Sequence, residues 1–390
     1  MKKLLSVLIA FCFLVISFFI SKSVTENFQE KAIISALNND KYTAEEYEEF
    51  QQLLSEKTFY YYNNLTEEQK DAYTTLYFSV LNFDKSCKIK VSEDDLKTIL
   101  YAIIYDNSDI FWLSGNYTYY DHAEFIELLP EYKYEKEDAE TNLKELRSKI
   151  SEIVLNIPSY ATEYEKELYI HDYICENTVY DEATLGNGGE TAYSSLLEGK
   201  SICEGYARAM QILLDEVGIK NYLVVGDATS AGVTEAHMWN IVNINGCNYH
   251  LDVTWDDGVF EDELSYFYFN VDDEYILRDH SNLEPKENNC KYDYANYFVM
   301  NNTYVGVFSG FSNLVDETAE ALKNGKNSVG FLFSNSTEFK RAMNEFNNNS
   351  VFFNYVKNSV EKSGRSFSHY NVDYYTTDDY NYLCIIFKED

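Results

Sequence analysis

Ser201–Ile202–Cys203–Glu204–Gly205–Tyr206–Ala207–Arg208 is the stretch on which the reading of this chain turns. Ser201-x-x-Glu204 has the form of a capping box, which makes Ser201 the N-cap of a helix and puts Cys203 in its first turn. Downstream, Tyr206, Met210, Leu213, Leu214 and Val217 recur at i, i+4, i+7, i+8 and i+11, the spacing of one buried helix face, and Gly218 supplies a stop. The free N–H groups and positive dipole end of such a helix favour thiolate over thiol. The backbone N–H of Cys203 is there also a natural donor to an oxyanion. Most cysteines are small buried hydrophobes; the helix start sets Cys203 apart from the others.

Further on, His237–Met238–Trp239–Asn240 and Tyr249–His250–Leu251–Asp252–Val253–Thr254–Trp255–Asp256–Asp257 flank Asn245–Gly246, a strong signal for a two-residue type I′ hairpin loop. With those two residues as the loop, Ile244 pairs with Cys247, His237 comes opposite Thr254 and Trp239 opposite Asp252. His237 and Asp252 are then diagonal neighbours on one face, roughly 7–8 Å apart at the backbone and within reach of a side-chain hydrogen bond. A carboxylate on this imidazole would hold one tautomer and stabilise the imidazolium that pairs with a thiolate. The opposite face carries Met238, Val242, Ile244, Cys247, Tyr249, Leu251 and Val253, an apolar set in which Asn240 has no evident partner. Trp239 and Trp255 are expected to wall the cleft.

Cys203, His237 and Asp252 thus form a Cys–His–Asp set suited to nucleophilic catalysis. The segments Gly199–Lys200–Ser201–Ile202–Cys203–Glu204–Gly205–Tyr206–Ala207, His237–Met238–Trp239–Asn240 and His250–Leu251–Asp252–Val253–Thr254–Trp255–Asp256–Asp257 resemble those of the bacterial transglutaminase-like superfamily. Its members share a papain-like Cys–His–Asp arrangement, and the resemblance covers about residues 145–270. It implies an α+β core in which the Cys-bearing helix packs on an antiparallel sheet carrying the His and the Asp. It also implies the catalytic roles: Cys203 as nucleophile, His237 as general base and acid, Asp252 as the orienting residue. Met238 stands where the family often has Ala, a conservative departure.

A chain of 390 residues should form two or three domains. Lys plus Arg number 31 against 65 Asp plus Glu, a net charge of −34 that repels phosphate backbones and anionic lipid, so nucleic-acid binding is excluded as a function class. With 36 Tyr against 3 Trp, many rings are expected at surfaces and cleft lips. Lys2–Lys3 followed by the uncharged run Leu4–Ile20 and Ser21–Lys22–Ser23 reads as a signal peptide or membrane anchor, implying export. Cys87, Cys175, Cys203, Cys247, Cys290 and Cys384 show no paired spacing, and mostly free buried thiols are expected.

The expected organisation is a signal or anchor segment (1–23), a tether (24–41), a helix-rich N-terminal region (42–138), the transglutaminase-like core (139–275), a linker (276–310) and a small α/β accessory domain (311–390). Capping boxes open helices at Thr43, Thr66, Ser92 and Thr162. A strand or hairpin is expected around Ser114–Gly115, a long amphipathic helix over 139–156 ending before Pro158, and a loop over 178–193 holding Gly186, Gly188 and Gly189. The accessory domain should contain helices over 314–324, 337–347 and 352–361 and strands over 328–333, 368–375 and 382–387. His171 and Cys175 have a metal-compatible i, i+4 spacing, but Leu168 shares their face and packing is the stronger reading. The acidic clusters Asp256–Asp257, Glu261–Glu263 and Asp272–Glu274 lack EF-hand spacing and read as solvated charge. No cofactor or metal is expected. The sequence therefore points to an exported cysteine-dependent acyl-transfer enzyme acting on amide bonds of a protein or peptide substrate, wall-associated substrates included, through a thioester at Cys203. Hydrolysis is favoured over cross-linking, and a non-catalytic surface module is the rival class.

Overall fold

The Cys203 helix packs on an antiparallel sheet, as the resemblance implies. The structure, a computed structural model, describes residues 59–122, 125–257, 264–365, 371–377 and 380–388. The targeting segment, the tether, the Thr43 capping box and Glu261–Glu263 fall outside the described residues. Among those described, no helix is long and apolar enough to cross a membrane.

The chain divides into two compact units, one comprising residues up to 268 together with 272–291, the other 269–271 together with 292–390. The first unit therefore takes in the N-terminal region, the core and part of the expected linker. Its helices begin with α1 (Tyr60–Asn63), α2 (Glu67–Asn82) and α3 (Glu93–Asp106), and the Thr66 box is formed by reciprocal bonds between Thr66 and Gln69. Strands β1 (Cys87–Ile89), β2 (Leu113–Asp121) and β3 (Ile126–Tyr132) make a small sheet in the order β1-β3-β2. Ser114–Gly115 is not a hairpin turn. The register of β2 shifts between Leu113 and Tyr117, so these residues form an irregularity within a strand whose partner begins at Ile126.

Two helices follow, α4 (Lys136–Leu155) and α5 (Glu163–Asn177), the latter opened by the Thr162–Glu165 box. Within the expected loop, β4 (Val179–Tyr180) pairs in parallel with β5 (Lys200–Ser201), which leads directly into α6 (Cys203–Glu216). The central sheet has the order β8-β7-β6-β9, from β6 (Asn221–Ser230), β7 (Val233–Ile244), β8 (Cys247–Leu251) and β9 (His280–Glu284). Asn245 and Gly246 both have positive φ, 52° and 85°, as a type I′ loop demands, and the register runs from Ile244↔Cys247 to Asn240↔Leu251 as the turn dictates. α6 packs against β7, with Ala207 in a cluster with Leu223 and Met238. Asn240 finds its partner there, donating from Nδ2 to the Ala207 carbonyl at 3.0 Å. The two faces of β7 are not a core face and an open one, because residues 237–242 are all buried.

Tyrosine rings lie at the surface as expected, Tyr160, Tyr180 and Tyr294 among them, and in the core as well. Tyr62, Tyr73 and Tyr77 form a buried ring cluster in the N-terminal region, and Tyr206, Tyr249 and Tyr268 are equally buried. That region docks on the Cys203 helix through polar contacts to backbone: Arg208 Nη1 donates to the Ile104 carbonyl at 2.7 Å and Gln211 Nε2 to the Tyr105 carbonyl at 2.9 Å.

The second unit has a sheet of order β10-β11-β13-β12, from β10 (Tyr304–Val305), β11 (Ser328–Phe333), β12 (Asn371–Thr377) and β13 (Tyr382–Lys388). Helices Val315–Lys323, Ser336–Phe346 and Asn349–Ser363 cover it around a core that includes Phe331, Phe333, Phe339, Leu383 and Ile385. This is the α/β arrangement read from 311 onward, with each described element within a few residues of its expected bounds. Residues 276–310 are not an unstructured linker: they carry β9, a short helix (Tyr297–Met300) and β10.

Gly205 marks where α6 passes closest to the chain before it. A Cβ there would sit 1.9 Å from Ser201 Oγ, 2.5 Å from the Gly189 carbonyl and 2.9 Å from the Thr191 carbonyl. Gly205→Ala is therefore expected to destabilise the first unit by about 2–3 kcal/mol through overpacking, read from its urea midpoint. Gly115→Ala, which meets nothing within 4 Å, is the control and should leave the midpoint nearly unchanged. Equal midpoints for the two variants would overturn this close approach.

Candidate active site

The helix carrying Cys203 starts one residue later than a Ser201 cap would allow. Ile202 is its N-cap, with no side-chain bond, and Ser201 lies in β5 with its hydroxyl donating to the Gly189 carbonyl at 2.5 Å. Glu204 does not reach back; it accepts from Arg208 Nε at 3.0 Å and Nη2 at 2.9 Å. The capping box fails because its serine is buried and already committed to a longer-range partner. What holds the helix start instead is a clip: Val179 N–H donates to the Gly199 carbonyl, Asp181 N–H to the Ser201 carbonyl and Ile202 N–H to the Gly189 carbonyl. Cys203 keeps its expected place in the first turn, now as the first helical residue instead of the second, half-buried, with its N–H among those an N-terminus leaves unpaired by the helix.

The strand carrying Asp252 ends early. β8 stops at Leu251, so neither Trp239↔Asp252 nor His237↔Thr254 forms as a strand pair. Asp252 is instead the N-cap of a short helix, α7 (Val253–Asp256), its Oδ1 accepting from the Trp255 N–H at 3.2 Å. The turn brings the carboxylate to the imidazole all the same: His237 Nε2 lies 2.7 Å from Asp252 Oδ2. That leaves Nδ1 as the ring nitrogen open to the thiol. Burial works against a charged His237, but the Asp252 charge and hydrogen bond, together with contact with the Cys203 thiol, outweigh it and lift its pKa from 6.5 to about 10. Burial likewise opposes an ionised Asp252, yet His237 and His280 hold it well below the usual carboxylate range.

His280, which the sequence reading passed over inside a polar stretch, is the fourth member of this cluster. Its Nε2 is 3.1 Å from the same Asp252 Oδ2, and its Nδ1 is 2.6 Å from Asp279 Oδ1. Gly226 makes room for it: β9 crosses β6 at an irregularity beside Gly226, where a Cβ would strike the Ser281 carbonyl at 2.7 Å and Trp239 at 2.9 Å. A histidine opening a short alternating segment next to an acidic residue was the only signal available.

Trp239 is fully buried rather than a cleft wall; its ring stacks on His237 at 5.8 Å and its Nε1 donates to His250 Nδ1 at 3.0 Å. Trp255 is half-buried on the other side of His237, at 6.0 Å. Tyr180, presented by β4, is an exposed ring near Cys203 and 6.3 Å from the Tyr206 ring.

Asp256 and Asp257 are not solvated charge. Asp256 is buried, accepts from the Tyr268 N–H at 2.9 Å and sits 3.3 Å from His171 Nε2; burial pushes its pKa up to about 6, against the pull of His171. Asp257 accepts from the Tyr206 hydroxyl at 2.5 Å. His171 and Cys175 share this buried packing, the thiol 3.9 Å from the ring, as their helix face implied. Among the described residues, His237–Asp252–His280 and His250–Asp273–Cys290 are spaced closely enough to share a metal ion. Hydrogen bonds already use their ring nitrogens. The Trp239 N–H can only donate, so His250 Nδ1 accepts and Nε2 carries the proton that faces Asp273 at 3.0 Å. All six described cysteines are free.

Residues 153–253 match the family model described as the Transglutaminase-like superfamily. The chain carries a transglutaminase-like domain. This domain spans the Cys203 helix, both hairpin strands and Asp252, within a mixed α+β unit. Over 156 residues the chain is 25% identical to kyphoscoliosis peptidase of Mus musculus, 37% of this chain and 24% of that one, so it spans about a quarter of the mouse protein's length. A solved transglutaminase ("TGase") structure aligns at 14% identity and TM-score 0.27, covering 45% of this chain and 50% of its own. A proposed cysteine protease from Cytophaga hutchinsonii aligns at 13% identity and TM-score 0.25, covering 36% and 61% respectively.

The raised pKa of His237 has a measurable sign. A group whose pKa is higher folded than unfolded contributes stability that is complete below its ordinary value, 6.5, and lost as pH rises through about 10. Urea stability of the first unit should therefore decline from pH 6.5 to 10, by up to about 1.4 kcal/mol per pH unit from this group. In His237→Gln this contribution to the slope should vanish, and an unchanged slope would count against a charged His237.

Proposed function

We propose that this protein is a cysteine-dependent acyl-transfer enzyme that cleaves amide bonds of protein or peptide substrates, with Cys203 as nucleophile, His237 as general base and acid and Asp252 as the orienting carboxylate. The observation that carries this reading is the buried 2.7 Å bond from His237 Nε2 to Asp252, with the Cys203 thiol against the same imidazole at a helix N-terminus. The thiolate adds to the carbonyl carbon, and the oxyanion takes the Cys203 N–H. His237 then gives its proton to the leaving amine as the C–N bond breaks, leaving a thioester. Water, deprotonated by His237, attacks the thioester and releases the acid and the thiol.

Hydrolysis is preferred over amine transfer, and the name of the mouse relative, a peptidase, supports that preference. The test supplies a glutamine-containing protein and a fluorescent amine, then separates free acid and cleavage products from amine-labelled protein. Cleavage or deamidation without label is the expected result; label incorporation would make the enzyme a cross-linker. Cys203→Ala and His237→Ala should each lower turnover at least about a thousandfold. Turnover unaffected by both substitutions would take catalysis away from this pair, and a wild type without turnover would leave only the non-catalytic module.

The Lys2–Lys3 pair and the Leu4–Ile20 run support action outside the cytoplasmic membrane. A membrane-impermeant maleimide applied to intact cells should label the full-length chain and not a chain lacking residues 1–23. Labelling of neither would sink the proposed location.

A further inference from the structure

His280 is bonded at both ring nitrogens to carboxylates that have no proton to give. Asp279 accepts on each oxygen, Oδ1 facing His280 Nδ1 at 2.6 Å and Oδ2 taking the Tyr268 hydroxyl at 2.6 Å. Asp252 accepts the Trp255 N–H on Oδ1 and faces both histidine Nε2 atoms with Oδ2. A neutral imidazole carries one N–H and could satisfy only one of these neighbours; two N–H donors make an imidazolium. The ring is 1% exposed and lies among the rings of Trp255, Trp239 and Tyr268 at 4.6, 4.9 and 5.7 Å, an aromatic enclosure that suits a cation.

We infer that His280 is a fixed imidazolium beneath the Cys203–His237 pair, a positioning residue that acts through Asp252 and sets the pH range over which thiolate and imidazolium coexist. The inference rests on the reading of Cys203 and His237 as a reacting pair. The titratable and charged groups facing His280 are Asp252 ahead of α7, His237 on β7, Tyr268 and its neighbour Asp279; His250 on β8 senses its charge from behind Trp239. β6 presents Gly226 and Ala228 there, with Asp227 turned to the Asn282 amide. Burial opposes the charged ring, and the two carboxylates prevail, so its pKa is raised.

A cation stabilises the deprotonated form of its neighbours, so removing it raises the pKa of His237. His280→Gln keeps an amide donor for Asp252 and deletes the charge. The rate of Cys203 alkylation by iodoacetate, an anion drawn to the His237 imidazolium, should be bell-shaped from acid to alkaline pH in the wild type. In His280→Gln the alkaline limb should move to higher pH by on the order of one unit. Slower alkylation with both limbs in place would mark His280 as merely structural and overturn the inference. Should the variant fail to fold, 15N spectra of histidine-labelled wild-type protein decide: both ring nitrogens of His280 protonated at mildly alkaline pH is expected, and a neutral-ring signature overturns it. A wild type with no pH-shifted reactivity at Cys203 would defeat the enzyme reading, while the nitrogen spectra would still judge the charge on His280.

Discussion

The buried carboxylate of Asp252 is the constraint around which the first unit is arranged. Placing an ionised carboxylate in a dry interior costs many kcal/mol unless opposite charge and hydrogen-bond donors surround it. Here one oxygen faces two imidazoles and the other the N–H of Trp255, while the Asp252 N–H donates to the Tyr268 carbonyl. Those bonds require the chain to leave the strand at residue 251, turn one helical turn and return at 268 and again at 280. The strand order β8-β7-β6-β9 is the topology that satisfies them.

Most of the geometry of the candidate site was legible because it is local. The Asn245–Gly246 turn set the register of β7 and β8 by itself, and the periodicity from Tyr206 to Leu214 located the Cys203 helix. What escaped had long-range causes. Ser201 looked like a cap because only its neighbours are visible in a motif; the Gly189 carbonyl that claims its hydroxyl is not. The end of β8 at Leu251 was hidden because Asp252 can continue a strand or cap a helix, and the choice depends on Tyr268 and His280. Tyrosine-rich composition suggested a decorated surface, but a phenol is buried comfortably when its hydroxyl finds a partner, as Tyr206 does on Asp257.

The acidic residues after Asp252 show how one sequence run serves two environments. Asp252 and Asp256 are both fully buried, yet their acidities diverge, the first held low by two imidazoles and the second raised by burial that one histidine offsets only partly. His171, Cys175 and Asp256 hold the short helix against the helix Glu163–Asn177. Asp252 thus stands on a polar footing with a proton inventory of its own. Such layering lets substitutions near Asp256 disturb the site without touching any reacting atom.

The place of His280 in the chain sets the second counter-charge of Asp252 28 residues further along, on strand β9. Translation delivers Cys203, His237 and Asp252 in that order, and β9 only afterwards, to the far side of β6. A chain ending before residue 280 would lack the second imidazole that faces Asp252. The electrostatic surroundings of Cys203 are therefore complete only when β9 has joined the edge of the sheet.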